Sequence, residues 1–468
     1  MRSTPWRGSK CLKLWKSNLT VLGLALLLAG CQSTPYQRQA LEAPAQWRGA
    51  PTQTQADMSR ERWWQGFGDA GLLAVLEQAR SRNPDLSIAL LKLRKAQLAA
   101  GLERSDALPS LSGELNAGAK RTLGESSVWS RSSGGSLSTS YELDLWGRVD
   151  ARLRAADQEF RASAYDEAAA RLLSDSAAAG LYWDIAALKA RQTLGQADLA
   201  DLRRIQALAE AKWRAGATSE QDVTQARSAV LSQQADLLGL ADERGQKENA
   251  LALLLDHPSG AALPPIAALP LEPALPAIDA GLPSRLLERR PDLMAAEARL
   301  RGKLAKVDQE RAAFFPALKL TGSLGSSSGA LSSLVQNPLL ALGASLSLPF
   351  LEWRKLGLQL KSSQADYELE TVSFRKTLYG AYQEVDNALS TRQRLQGSAR
   401  LQADALALNR RSEQLAESRY RAGAVDVQTW LDAAKARRGS ESALIRLRQE
   451  QLKNLADVYK VLGGAPSA

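Results

Sequence analysis

Between Arg148 and Ala215 the chain contains no proline, and apolar or small side chains return at Val149, Leu153, Ala156, Phe160, Ala164, Ala168 and Leu172, and on to Ala197. The mean step is roughly 3.7 residues, near the period of a straight α-helix and longer than that of a left-handed coiled coil. At 1.5 Å per residue such a run reaches on the order of 100 Å, far beyond what a globular domain needs. A second helical run follows from about Ser219 to Asp256, and the same pair is predicted again near 354–422 and 426–462. The runs of each pair are joined at Arg214-Ala215-Gly216-Ala217 and at Arg421-Ala422-Gly423-Ala424. Glycine at such a joint supplies the left-handed backbone that a helix end requires, so Gly216 and Gly423 mark hairpin tips.

A different period governs two shorter segments. Leu137, Thr139, Tyr141, Leu143 and Leu145 alternate with Ser136, Ser138, Ser140, Glu142 and Asp144. Further on, Leu342, Ala344, Leu346 and Leu348 alternate with Gly343, Ser345 and Ser347. A period of two gives a strand one oily face and one polar face. Looser alternation over 111–119 and 318–324 supplies the partner strands, across Ser/Gly-rich loops expected at 121–135 and 326–339. Ahead of each β-hairpin a helix of about 22 residues, rich in Ala, Leu, Lys and Arg, is expected from Asp85 and from Asp292. It stops before Pro109 and Pro316, because the residue preceding proline is pushed out of the helical region.

The same parts in the same order reflect a repeat. At an offset of 207 residues, Pro84-Asp85-Leu86 meets Pro291-Asp292-Leu293, Glu103-Arg104 meets Glu310-Arg311, Trp146 meets Trp353, and the two tip sequences coincide. One unbroken register over most of the chain is the mark of internal duplication. The expected organisation is a signal at 1–30, an N-terminal segment at 31–82, a first repeat at 83–256, a linker at 257–289, a second repeat at 290–464 and a tail at 465–468. Seven prolines from Pro258 to Pro283 make the linker an extended stretch, as such composition dictates.

The N-terminus changes the picture. Arg2, Arg7, Lys10, Lys13 and Lys16 precede the apolar run Leu19–Gly30, the layout of a secretory signal. Its end, Leu28-Ala29-Gly30-Cys31, resembles a bacterial lipobox, which implies a lipid on Cys31 of the mature chain. Those five cations leave with the signal and take no acid with them, so a formal charge of +10 falls to +5. That is mildly basic without the clustered stripe of a nucleic-acid binder. Past the signal no apolar run of 18 residues exists, so a membrane role rests on strands or on the lipid.

Catalysis has little to work with. His257 is the sole histidine, and Cys31 the sole cysteine once Cys11 has left with the signal, so neither a zinc site nor an internal disulfide is expected. Gly325-Ser326-Ser327-Ser328-Gly329 fits a nucleophile motif in letters only, lacking the strand–turn–helix setting the elbow requires. No enzyme activity and no cofactor are expected.

Strands with one apolar face cross a bilayer only as a closed barrel. Four strands cannot close one, since barrels begin at about eight, so at least two copies must share the wall, and three are expected.

The stretches "RWWQGFGD" from Arg62, "ELDLWGR" from Glu142, "LLERRPDLMAAEARL" from Leu286, "FFPALKLTGS" from Phe314 and "RYRAGAVDVQTWLDA" from Arg419 together resemble the outer-membrane factor family. These are the TolC- and OprM-like exit ducts of tripartite efflux pumps, here in the NodT-type lipoprotein branch. The resemblance implies a mixed α and β fold: a trimeric twelve-stranded transmembrane β-barrel, four strands per chain, continuous with a twelve-helix periplasmic α-barrel. It implies a location in the outer membrane, and a periplasmic adaptor and an inner-membrane transporter of RND or ABC type as partners. By motif, Asp432 corresponds to the aspartate ring at the periplasmic constriction, Arg419 to the basic residue that latches it, and Asp222 to an acidic partner on the first hairpin. Gln428 stands where the family often has leucine. The tip residues Arg214, Gly216, Arg421 and Gly423 are the implied adaptor contacts. Trp146 and Trp353 follow the strand segments, where indole rings either anchor at the headgroup level or pack in the seam between strands and helices. The same architecture also suits a protein-secretion duct, and a non-conducting structural lipoprotein is the reading from another class.

Overall fold

A computed structural model describes residues 33–38, 42, 44, 47–48, 64, 67–121, 123, 129–270, 286–328 and 338–464. The signal, Cys31, the 465–468 tail, most of both β-hairpin loops and residues 271–285 lie outside them. The order is α1 (Ala70–Arg82), α2 (Pro84–Asp106), β1 (Ser110–Arg121), β2 (Trp129–Leu143), α3 (Arg148–Arg214), α4 (Glu220–Leu254), a short α5 (Leu286–Arg289), α6 (Pro291–Ala312), β3 (Ala317–Ser328), β4 (Pro338–Ser347), a 3-10 turn (Pro349–Glu352), α7 (Trp353–Arg421) and α8 (Val427–Val461). The helices α3 and α7 run unbroken for 67 and 69 residues. The pairs α2/α6, β1/β3 and α4/α8 each begin 207 residues apart. Chain packing divides the molecule into two compact units.

One unit comprises residues 93–163 and 295–375 with an N-terminal strap described at 33–38. Its sheet is antiparallel in the order β1-β2-β3-β4. Pairing Leu111 with Thr139, Thr139 with Gly322 and Gly322 with Leu342 puts the leucine-bearing rows on one face; Ser112, Ser138 and Ser323 form a row of the other. Hydroxyls meet across the strands on that polar face, Ser110 to Ser140 at 2.9 Å and Ser112 to Ser138 at 3.1 Å. The leucines opposite are uncovered in a single chain: Leu115 is 86% and Leu342 82% exposed. β2 begins at Trp129, so the first hairpin loop is shorter than the predicted 121–135. Ser and Gly residues at 130–136 pair in register with 114–120 of β1, and a full ladder of backbone bonds overrides their weak strand propensity. The strap runs along α6: the Thr34 hydroxyl donates to Asp308 at 2.6 Å and Arg38 grips Glu297 with two bonds at 3.1 and 2.6 Å.

The other unit comprises residues 41–92, 164–294 and 376–468. Asp69 caps α1 by accepting from the Gly71 and Leu72 amides. Leu72, Val75, Leu76 and Ala79 of α1 then pack with Trp183, Leu251, Leu255 and Ile266 in one core. A second core gathers Trp47, Leu293, Leu378, Tyr382, Val385, Leu455 and Val458. The described part of the proline-rich stretch is irregular but pinned: the Leu269 amide donates to Ala186 at 3.0 Å and the Lys189 ammonium to the Ile266 carbonyl at 2.8 Å. No helix among the described residues is long and apolar enough to cross a membrane.

Candidate functional site at the hairpin tips

Both tips close by one device. After α3 the amides of Gly216 and Ala217 reach back to Trp213 and Lys212, and after α7 those of Gly423 and Ala424 reach back to Tyr420 and Arg419. The glycines take φ of 73° and 75°, a left-handed helix cap that a side chain would strain. Arg214 and Arg421 are exposed beside them; Arg214 bonds the Glu210 carbonyl at 3.3 Å and Arg421 pairs with Glu417 at 2.6 Å. The returning helix α8 starts on Asp426, whose carboxylate accepts from the Thr429 amide at 2.9 Å and its hydroxyl at 2.6 Å. Those bonds hold the Asp426 carboxyl below its ordinary range.

One turn into α8, the Gln428 amide donates to the Asp432 carboxylate at 2.8 Å. Asp432 is exposed, so the bond orients the carboxylate without removing it from water. Gln428, expected to stand at a position where the family often has leucine, thereby sets a polar amide beside that charge. Both residues line an open groove of about 1110 Å³ between α4 and α8, with Lys435 and Arg438 on the same wall and Thr224 and Ser228 opposite.

Asp222 sits differently. It is only 8% exposed, near the start of α4, and accepts from the Thr218 hydroxyl. Burial pushes the Tyr420 phenol up, and the charge of Asp222 adds to the shift. The Tyr420 ring stacks obliquely on Trp430 at 5.5 Å, lies 4.2 Å from the Lys212 ammonium, and its own carbonyl accepts from that ammonium at 2.5 Å. The first hairpin is thus joined to the second at its tip through Lys212 and Tyr420. Arg419 is exposed and makes no ion pair with another described residue of its chain.

Deeper along the tips, Arg437 of α8 collects Glu413 at 2.5 Å, Glu441 at 2.6 Å and Asp198 at 3.0 Å, drawing in α7 and α3. Burial works against the Arg437 cation, but the three carboxylates hold its pKa above the ordinary value; burial also pushes Asp198 up, with Arg437 opposing. Sequence reasoning missed this network and Tyr420. Both left a signal: Arg437 replaces Val230 at the repeat offset, and Tyr420 stands at the offset from Trp213, an aromatic ahead of each tip glycine.

The two tryptophans after the strands part company. The Trp146 indole donates to the Pro316 carbonyl at 2.7 Å and stacks on Phe315 at 4.8 Å, so it packs within the seam. Trp353 is 69% exposed. Among the described residues no group of His, Cys, Asp and Glu is arranged to hold a metal ion.

A four-stranded sheet with one leucine face, attached to two tall helical hairpins, defines the class: an outer-membrane channel fold, with four strands per chain in a twelve-stranded trimeric barrel and the hairpins in a helical barrel. A profile described as "outer membrane efflux protein" matches residues 75–257 and 282–464, two blocks themselves offset by 207. The chain belongs to the outer membrane efflux protein family and is a protein of the outer membrane. It is 32% identical over 461 residues to the pyoverdine export outer membrane protein OpmQ of Pseudomonas aeruginosa, covering 96% of each chain. It is 32% identical over 468 residues to the antibiotic efflux pump outer membrane protein ArpC of Pseudomonas putida, again 96% of each. Among solved structures, the open state of the Neisseria gonorrhoeae MtrE outer membrane channel superposes with a TM-score of 0.83 at 28% identity, over 93% of this chain and 98% of that one. The outer-membrane channel OprN superposes at 0.85 with 25% identity, over 92% and 98%.

Proposed function

We propose that this protein is the passive exit duct of a tripartite efflux pump, carrying small molecules from a periplasmic adaptor and an inner-membrane transporter of RND or ABC type to the exterior. Relatives named for pyoverdine export and for antibiotic efflux support the reading. The observation that carries the mechanism is the Gln428–Asp432 pair, an oriented and hydrated carboxylate beside the hairpin tip. In a trimer, three copies of Asp432 converge on one axis, and such a ring attracts cations and repels anions while the opening is narrow. Arg419, without an ion pair among the described residues of its own chain, is positioned to meet a carboxylate of the neighbouring copy. Asp222 serves the latch indirectly, through a charge close to Tyr420, the residue beside Arg419. The exposed tip residues Arg214, Gly216, Arg421 and Gly423 form the surface for the adaptor, and the lipid on Cys31 adds an anchor to the strands.

Planar-bilayer recording of purified trimers tests this. Asp432→Ala raises single-channel conductance and weakens the preference for cations. Intact Asp432→Ala trimers with unaltered conductance would remove the carboxylate ring from the gate.

A further inference from the structure

Within one chain, pairing of β2 with β3 brings together the helix that leaves β2 and the helix that enters β3, α3 and α6. They meet through small residues. A Cβ on Gly302 of α6 would lie 3.4 Å from that of Gln158 and 3.6 Å from the Ala155 carbonyl. Ala295, Ala298 and Ala305 on α6 and Ala151 and Ala162 on α3 are all 5% exposed or less.

Carried 207 residues along the repeat, this contact has both halves present but unjoined. On α2 the counterparts of Gly302, Ala305 and Gln309 are Lys95, Leu98 and Leu102. On α7 those of Ala151, Ala155, Gln158, Ala162 and Tyr165 are Leu358, Ser362, Ala365, Leu369 and Val372. Leu98 and Leu102 are 61% and 67% exposed, and Leu358, Leu369 and Val372 are 64%, 67% and 61% exposed. The α2 helix enters β1 and α7 leaves β4, the two strands at the edges of the sheet. In the trimeric barrel of this fold those edges pair between copies, so α2 of one copy and α7 of the next flank the strand junction just as α6 and α3 flank the internal one.

We propose that Lys95, Leu98 and Leu102 of α2 pack on Leu358, Ser362, Ala365, Leu369 and Val372 of α7 in the neighbouring copy, forming a seam wider than the one inside the chain. This rests on the trimeric reading. Helix axes approach to about 8 to 10 Å according to the side chains between them, so the alanine and glycine faces of α6 and α3 sit at the near end and the leucine faces between copies at the far end. The helical ring therefore alternates narrow internal and wide external seams. The contact is head-to-tail: the α2 patch meets the α7 patch and never itself.

Site-directed cross-linking tests it. The double variant Lys95→Cys/Ala365→Cys, treated in membranes with a short bismaleimide, gives covalent dimers and trimers that survive boiling in detergent. Either single variant gives none, and neither does Arg94→Cys/Ala365→Cys, whose first thiol points away around α2. Plain oxidation closes the internal pair Gly302→Cys/Gln158→Cys, whose spacing approaches the roughly 3.5 to 4.5 Å between Cβ atoms of a disulfide, but closes the external pair poorly. Trimers on unheated gels without a cross-link from the double variant overturn the seam and leave the trimer standing. A protein that is monomeric before any cross-linker overturns both. Oxidation closing the external pair as readily as the internal one overturns the difference in width.

Discussion

Two residues at equivalent places in the repeat show how a backbone position is satisfied twice. Asp256 ends α4 with φ of 58°, and its counterpart Gly463 ends α8 with φ of 89°. A Cβ on Gly463 would approach the Arg289 carbonyl oxygen to 2.6 Å and the Arg290 amide to 2.9 Å. Those atoms belong to a fixed segment, because the Arg290 guanidinium donates to the Val461 carbonyl at 3.2 Å and pairs with Asp292 and Glu384. Gly463→Ala is therefore expected to destabilise the protein by more than about 2 kcal/mol. The reverse change, Asp256→Gly, relieves a left-handed aspartate and gains about 0.5 to 1 kcal/mol after the entropy cost of glycine. Thermal unfolding of the two variants reads both shifts. The sequence marks the register of these two positions; the crowding around Gly463 is written in residues more than 170 places away.

Among elements, the tip network decides how firmly the hairpins hold together. Arg437 is 14% exposed in its side chain and Asp198 6%, so removing the cation strands buried carboxylates. Arg437→Leu is expected to cost about 3 to 5 kcal/mol and to make the tips sensitive to protease well before the sheet is lost. The strap along α6 depends on pH. Burial alone would push Glu297 up, but the hydrogen bonds and charges of Arg38 and Arg301 outweigh it and hold the carboxyl below its ordinary range. A depressed carboxylate contributes stability above its unfolded value of about 4.3 and loses it as the pH falls through the folded one. Glu297→Gln is accordingly less stable than the parent protein at neutral pH, and the two melting temperatures converge below about pH 4.

For the whole molecule, the uncovered leucine face, with Leu115 86% and Leu342 82% exposed, fits a surface that lipid completes. A closed barrel whose strands cross the bilayer satisfies its own backbone and has no edge to release, so it holds the protein in the membrane independently of the lipid. Cys31→Ser is therefore expected to abolish incorporation of labelled palmitate while the assembled protein still resists extraction by alkaline carbonate. Extraction of that variant into the soluble fraction would mean that the lipid, not the strands, holds the protein.

Periodicity, turn chemistry and duplication belong to neighbours a few residues apart, or to the chain compared with itself, and all of these were legible in the sequence. The long helices α3 and α7, the strand alternation, the tip glycines and the offset of 207 residues follow from it directly. The strand ends were less legible, because β2 gains Trp129–Gly135 through its ladder with β1 and, over Ser133–Gly135, with β3 as well. Only the tertiary structure decided which equivalent side chains share a role. Trp146 finds Pro316 and Phe315 while Trp353 remains exposed, and Lys212 reaches the Tyr420 carbonyl of the second hairpin. A side chain's position along the chain determines its face on a helix. Its partner is determined by which other helix crosses there, and in this protein that helix often comes from the opposite half.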